Sequence, residues 1–356
     1  MTSKLSALQL HAGPTALKHI QTHGLNADDF TVMVGASGGP KWFSLFGLDK
    51  YVFGEFFKDR TRPLQTLGTS AGAWRMACFG QNQPVAAISR LAEAYSTETY
   101  SEKPDAKEIS TKARVILSHL LNKSGAHEVV NNPVIKTHII ADRCKGLVAS
   151  ERLPLQLTGL ALSAFANAIS RKSLGAFYHR VIFHNQHPHA FPLTDLPTTQ
   201  CHLTEQNIKD VLMASGSIPV VLEGVKEISG APEGVYRDGG ITDYHFDIPF
   251  TNEGLVFYPH FYSKIIPGWF DKQLKWRKPN LKHYDNALIL SPSPEWVAKL
   301  PYGKIPDRND FKHLDATTRI KYWQTVLQAS DQLAEDLDNL INSPELLNNS
   351  LRPIAF

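Results

Sequence analysis

Cysteine is scarce in this chain. Cys78, Cys144 and Cys201 are spread singly over the 356 positions, so there is neither a disulfide framework nor a CxxC metal knuckle, and a reducing compartment is the default. An excess of one charge is also lacking. Lysine and arginine (37) exceed aspartate and glutamate (34) by three, which excludes a polyanion binder built on net charge alone. No hydrophobic run is long enough to read as a membrane span. The most apolar stretch, LPLQLTGLALSAFANAI over 153–169, has 17 residues and is interrupted by Gln156, Thr158, Ser163 and Asn167. It fits a buried helix or an interfacial helix that docks on lipid. At the N-terminus Lys4 is followed by Gln9, His11 and Gly13, which break up any secretory leader. A cytoplasmic protein is expected, with leaderless export left open.

What remains is an ordinary globular composition, 42% hydrophobic and 20% charged. Short β-branched or apolar runs, Phe30 to Val34, Leu64 to Leu67, Thr137 to Ala141, Arg180 to Phe183 and Ala287 to Leu290, read as strands. Between them lie helical patterns over Ala106 to Leu121, 153–169, and Glu205 to Ala214 behind a Thr204 cap. Thr317 to Ile341 reads as one long amphipathic helix. Alternation of strand and helix predicts a layered α/β fold with a mainly parallel sheet. The length would hold two domains, yet no Pro/Gly/Ser-rich linker divides it. One domain over 1–356 is therefore expected.

Three segments carry candidate chemistry. Gly68-Thr69-Ser70-Ala71-Gly72 matches GxSxG, with an apolar strand before it and helix-compatible residues after it. A serine on such a sharp turn has an exposed hydroxyl on a strained backbone, and small residues let strand and helix pass closely. A tight structural turn would need the same residues. Upstream, Gly35-Ala36-Ser37-Gly38-Gly39-Pro40-Lys41 follows a strand and leaves backbone N–H groups free for an anion, with Lys41 as a nearby positive charge. It is not a P-loop, which would need glycine at Pro40 and a hydroxyl at Trp42, and no GxGxxG fingerprint is present. Downstream, Tyr236-Arg237-Asp238-Gly239-Gly240 suits either a carboxylate held at a close backbone approach or a plain Asp-Gly turn.

Taken in this order, the three segments resemble the patatin-like phospholipases and lipid acyl hydrolases, in which a glycine-rich oxyanion loop precedes GxSxG and an Asp-Gly-Gly or Asp-Gly-Ala follows much later. Gly39 lies 31 positions before Ser70, and Asp238 lies 168 after it. Ala214-Ser215-Gly216-Ser217-Ile218-Pro219 also looks like that family's small-residue segment ahead of the aspartate. The resemblance covers Phe30 to Pro249. It implies a three-layer α/β/α patatin-like fold with a motif-matched core of residues 30–250, and 251–356 as an extension packed on it. It also implies a Ser70–Asp238 dyad working through an acyl-enzyme. Gly38 and Gly39 would be the oxyanion donors, with Gly68, Gly72, Lys41, Gly239 and Gly240 in support, and neither metal nor cofactor is involved. The sequence departs from the family loop Asp-Gly-Gly-Gly-x-Arg-Gly at two places, with Ser37 for the first glycine and Trp42 for the last. Pro249 also comes later than the family's proline.

The activity implied is that of a lipid acyl hydrolase of the phospholipase A or lysophospholipase type. Three alternatives stand beside it. One is a Ser–His–Asp esterase of the α/β-hydrolase type drawing on His245, His260, His283 or His313. Another is a metal site at His184, His187 and His189, and the last is a non-catalytic lipid-binding protein of the same fold. From Lys264 to His283 six lysines or arginines face Asp271 alone, among Trp269, Phe270 and Trp276. This suits either a solvated basic face or contact with an anionic lipid surface, and in the second case this segment and 153–169 are expected to rim the acyl cleft. No nucleic-acid motif accompanies it, so the expected partners are a lipid or other ester and, transiently, a membrane surface.

Overall fold

The computed structural model describes residues 6–186, 190–251 and 253–356. Its frame is a large, mostly parallel sheet flanked by helices. The strands are β1 (Leu8–Ala12), β2 (Phe30–Gly35), β3 (Leu64–Gly68), β4 (Ile135–Cys144), β5 (Tyr178–His184), β6 (Thr198–His202), β7 (Val225–Lys226), β8 (Val235–Asp238), β9 (Leu255–Pro259), β10 (Ala287–Pro292) and β11 (Leu351–Pro353). They run in the order β11-β1-β10-β9-β2-β3-β4-β5-β6, with β8 pairing both β4 and β7. Residues 251–356 do more than pack on the 30–250 segment, because β9 lies parallel to β2 inside the sheet and β10 lies beside β9.

The central strands are apolar on both faces, as burial between helix layers requires. Phe30, Val32, Met33 and Val34 of β2, Val256 to Tyr258 of β9 and Ala287 to Leu290 of β10 are all buried. Each such side chain contributes about 1.5–3 kcal/mol on burial. The strands expected from sequence are all present. Those it passed over are mostly peripheral and mixed in polarity, such as Thr198–His202 (TTQCH) and the four-residue Val235–Asp238 (VYRD).

Two helix expectations change. The regular helix behind Thr204 begins only at Ile208. Thr204 and Asn207 first form a reciprocal turn, with Thr204 N–H donating to Asn207 Oδ1 (2.8 Å) and Asn207 N–H to Thr204 Oγ1 (3.2 Å). The long C-terminal helix is two, Ala316–Ala329 and Asp331–Ile341, meeting at Ser330. The buried Ser330 hydroxyl donates to Leu327 O and accepts the Gly47 N–H, so the break docks on a neighbouring helix. The helices Ala106–Leu121 and Leu153–Ile169 have the expected bounds. Among the described residues no helix is long and apolar enough to cross a membrane.

The sheet brings two distant motifs together along one edge of β4. The first half of β4 pairs in parallel with β3, ending at Gly68 opposite Ile139. Its second half pairs antiparallel with β8, ending at Asp238 opposite Ala141. The two strands therefore run toward each other along the same edge and stop with only Ile140 between them. On the other side of β3, Gly35 at the end of β2 stands opposite Gly68. Three strand ends thus deliver three loops to one spot.

Candidate active site

Ser70 follows β3 and opens the helix Ala71–Phe79. Its φ of 52° lies in the left-handed region that serine rarely adopts, so the turn is strained, and the strain holds the hydroxyl away from the helix. The crossing of strand and helix leaves no room for side chains. A Cβ at Gly72 would lie 1.9 Å from Gly35 O. Helix Ala71–Phe79 is locked from behind, where Arg75 holds Asp49 through two buried hydrogen bonds of 2.7 and 2.6 Å.

Ser70 Oγ donates to Asp238 Oδ2 at 2.8 Å, and both residues are buried. The other carboxylate oxygen accepts the Gly240 N–H at 2.7 Å, while Asp238 N–H donates to Ser217 O. Among the described residues no arginine or lysine is hydrogen-bonded to this carboxylate. Burial raises the Asp238 carboxyl to about 6. The Gly240 and Ser70 hydrogen bonds and the more distant charges of Arg308 and Lys272 only partly oppose that rise. A carboxylate so placed is a stronger base than an exposed aspartate and still largely ionised at neutral pH.

Ser215 and Ser217 give the small-residue segment its physical content. Ser215 Oγ accepts the Ser70 N–H (3.0 Å) and donates to Ile140 O (2.7 Å), tying the strained turn to the strand between the two motifs. The Ser70 N–H is therefore engaged. So is that of Ser37, which donates to Tyr244 O. Gly38 and Gly39 face the same cleft as Ser70, and neither of their N–H groups is committed to a backbone carbonyl. Gly39 has a φ of 55°, which suits glycine, and the ring of Phe261 fills the space where a Gly38 side chain would stand.

The remaining expected residues fall as follows. Gly68 ends β3 beneath Ala73, and Gly239 and Gly240 form the turn after Asp238, against Ile140 O and Ser37. Lys41 lies at the cleft, its ammonium ion-paired with Asp307. The cleft itself encloses about 170 Å³. Its walls include Ile218 and Pro219, at the end of the small-residue segment, and Tyr244, Trp269, Lys272 and Arg308, which lie outside the matched motifs. Lys272 is lowered to about 8 by burial first and by Lys41 and Arg308 second, and its ammonium lies 4.0 Å from the Tyr244 ring centre. Lys41, Lys272 and Arg308 thus line the same cleft as Ser70 and Asp238, together with Asp307, the partner of Lys41.

None of the four histidines raised for a triad is bonded to Ser70 or Asp238. His245 Nδ1 accepts the Ile266 N–H, His260 bonds Tyr262, and His283 pairs with Asp247. Burial pushes His245 well below its ordinary range, so its ring stays neutral. His313 ends a short surface helix with no bond to either residue. His187 and His189 lie outside the described residues. Among the described residues no group of three potential metal ligands occurs.

No family model matches the chain, and no curated protein matches it. Among solved structures it is similar to human GIVD cytosolic phospholipase A2, at 10% sequence identity and a TM-score of 0.44. That likeness covers 97% of this chain and 66% of the other, so this chain spans 66% of that protein's length.

Proposed function

We propose that the chain is a serine ester hydrolase acting on lipid esters, of the phospholipase A or lysophospholipase type, with Ser70 and Asp238 as its dyad. The observation that carries this is the 2.8 Å hydrogen bond from a strained, buried serine hydroxyl to a buried carboxylate to which, among the described residues, no cation is bonded. The order of the glycine loop, GxSxG and Asp-Gly-Gly, resembling the patatin-like enzymes, agrees with it.

In the proposed cycle Ser70 Oγ attacks the ester carbonyl carbon as its proton passes to Asp238 Oδ2. Charge develops on the former carbonyl oxygen, which the Gly38 and Gly39 N–H groups receive, each such donor being worth about 3 kcal/mol. The positive end of helix Ala71–Phe79 adds to this. Collapse expels the alcohol as the Asp238 proton moves to the leaving oxygen, and the acyl group stays on Ser70. Water then attacks with Asp238 again as base, releasing the fatty acid and restoring the serine. With Lys41 neutralised by Asp307, Lys272 and Arg308 in the cleft wall favour an ester that also carries an anionic group.

Treatment with a serine-reactive fluorophosphonate, read by intact mass and peptide mapping, tests the nucleophile. One adduct on Ser70, absent from Ser70→Ala, is expected, together with fatty-acid release from lipid esters that the variant lacks. A folded protein that takes no adduct would remove the proposal and favour a binding protein of this architecture.

A further inference from the structure

The 153–169 helix is inside out. Its buried stripe is Gln156, Gly159, Leu160, Ser163 and Asn167, while Leu153, Leu155, Leu157, Leu162, Phe165 and Ile169 are exposed. Phe165 is 70% and Ile169 73% exposed, where a helix of a water-soluble protein would turn such residues inward. The orientation is built in. Gln156 donates to Ser150 O and accepts the Val220 N–H (2.9 and 2.8 Å), Asn167 Nδ2 donates to the buried Asp271 (2.7 Å), and Gly159 packs directly on Val148. Rolling the helix to bury its leucines would break each of these contacts.

The surroundings say what covers that face. The helix itself carries no charge. Exposed Arg152 precedes it and exposed Lys172 follows it. Arg277 donates to Asn167 O, which sets exposed Lys275, Trp276 and Lys278 beside its C-terminal half, with Trp276 68% exposed. The adjoining acids are bound to arginine, Glu151 to Arg237 and Asp271 to Arg277. Aliphatic side chains, an indole and a rim of unpaired cations together match an anionic lipid interface. A two-fold contact between copies through this face would set the same cations against each other.

We infer that the 153–169 helix is an interfacial anchor, docking the chain on an anionic lipid surface through its outward face and Trp276. The helix is also tied by hydrogen bonds to segments that form the wall of the Ser70 cleft. Gln156 holds Val220, next to Pro219 and Ile218 of the cleft wall, and Asn167 holds the turn that carries Trp269. The inference rests on the lipid-ester proposal for why docking would serve the protein, and docking is measured independently of turnover.

The test is co-sedimentation of full-length Ser70→Ala with vesicles of phosphatidylcholine alone or with phosphatidylserine. Binding to the anionic vesicles, weakened by salt, is expected. Phe165→Ser/Ile169→Ser should weaken it at least about tenfold, and Lys275→Gln/Lys278→Gln should weaken it less. With Ser70 intact, both double variants should hydrolyse a soluble short-chain ester as wild type does. Absence of vesicle binding, equal binding to both vesicles, or binding unchanged in Phe165→Ser/Ile169→Ser would overturn the inference. So would a dimer in solution that Phe165→Ser/Ile169→Ser dissolves. Vesicle binding with no ester turnover by wild type would instead overturn the hydrolase proposal and leave the anchor standing.

Discussion

Asp238 and Asp243 stand five positions apart at the two ends of one buried turn, and their surroundings make opposite demands on them. Asp243 is clamped. Arg180 reaches both of its oxygens (2.7 and 2.9 Å), Arg171 adds a third bond, and Asp195 shares both arginines. Its own carbonyl oxygen accepts the Thr69 hydroxyl at 2.9 Å, next to the nucleophile. Asp238 has a hydroxyl and an N–H for company and, among the described residues, no cation bonded to it. The arginines fix Asp243 in place, whereas burial raises the Asp238 carboxyl to about 6. On the proposed mechanism one end of the turn therefore holds the geometry and the other takes the proton.

Exchanging the partners of each aspartate breaks that contrast. Asp238→Asn is expected to lower kcat by about 100- to 10,000-fold, the usual range for a lost general base. Stability should move the other way. Because the folded carboxyl titrates near 6 rather than at 3.8, the unfolded chain releases its proton first as pH rises. Folding is thus disfavoured progressively between these values and remains so above them. Asp238→Asn removes that penalty, so at pH 7 it should unfold no more easily than wild type, with a gain on the order of 3 kcal/mol. Denaturant titration at pH 7 checks this. In wild type, kcat/KM should rise with pH through about 6 as the base ionises. A profile flat from pH 5 to 7 would remove Asp238 from the role.

Asp243→Ala sharpens the contrast from the other side. It leaves Arg180 buried with only Asp195 and deprives Arg171 of one partner, so a loss of about 3–5 kcal/mol in unfolding free energy is expected. Fluorophosphonate labelling of the fraction that remains folded should keep a rate closer to wild type than Asp238→Asn does. If Asp243→Ala is as stable as wild type but dead, the division of labour is wrong.

How far these roles were legible depends on whether their cause is local. The elbow at Ser70 was, because strand, glycines and small residues are demanded within a few positions. Asp238 was visible through resemblance alone, since β3 and β8 meet only by pairing with the same edge of β4. Trp269 and Lys272 belong to the aromatic and basic segment expected at the rim of the cleft, whereas Arg308 was invisible as a cleft wall, because an irregular segment with no periodicity carries it there. The helix at 153–169 shows a subtler limit. Gln156, Ser163 and Asn167 read as interruptions of an apolar run, yet their spacing of seven and four marks one helical stripe. That stripe is the buried one. Composition gave the helix, and only tertiary contacts decided which face turned inward.

The smallest expected effect belongs to Ser215, which belongs with Asp243 in the contrast, as a group that positions and moves no proton. Its hydroxyl joins the Ser70 N–H to Ile140 O. Ser215→Ala leaves a buried donor and a buried acceptor without that partner, a loss of about 1–3 kcal/mol. It also loosens the residue whose φ of 52° aims the nucleophile. We expect kcat to fall about tenfold, equivalent to about 1.4 kcal/mol in the barrier, with KM and the pH midpoint near 6 unchanged, because Asp238 keeps its surroundings. Ser215→Thr, which restores the hydroxyl, should recover most of the rate. A shifted pH midpoint in Ser215→Ala would mean that the two strand ends move together, so that the base is perturbed whenever the nucleophile is.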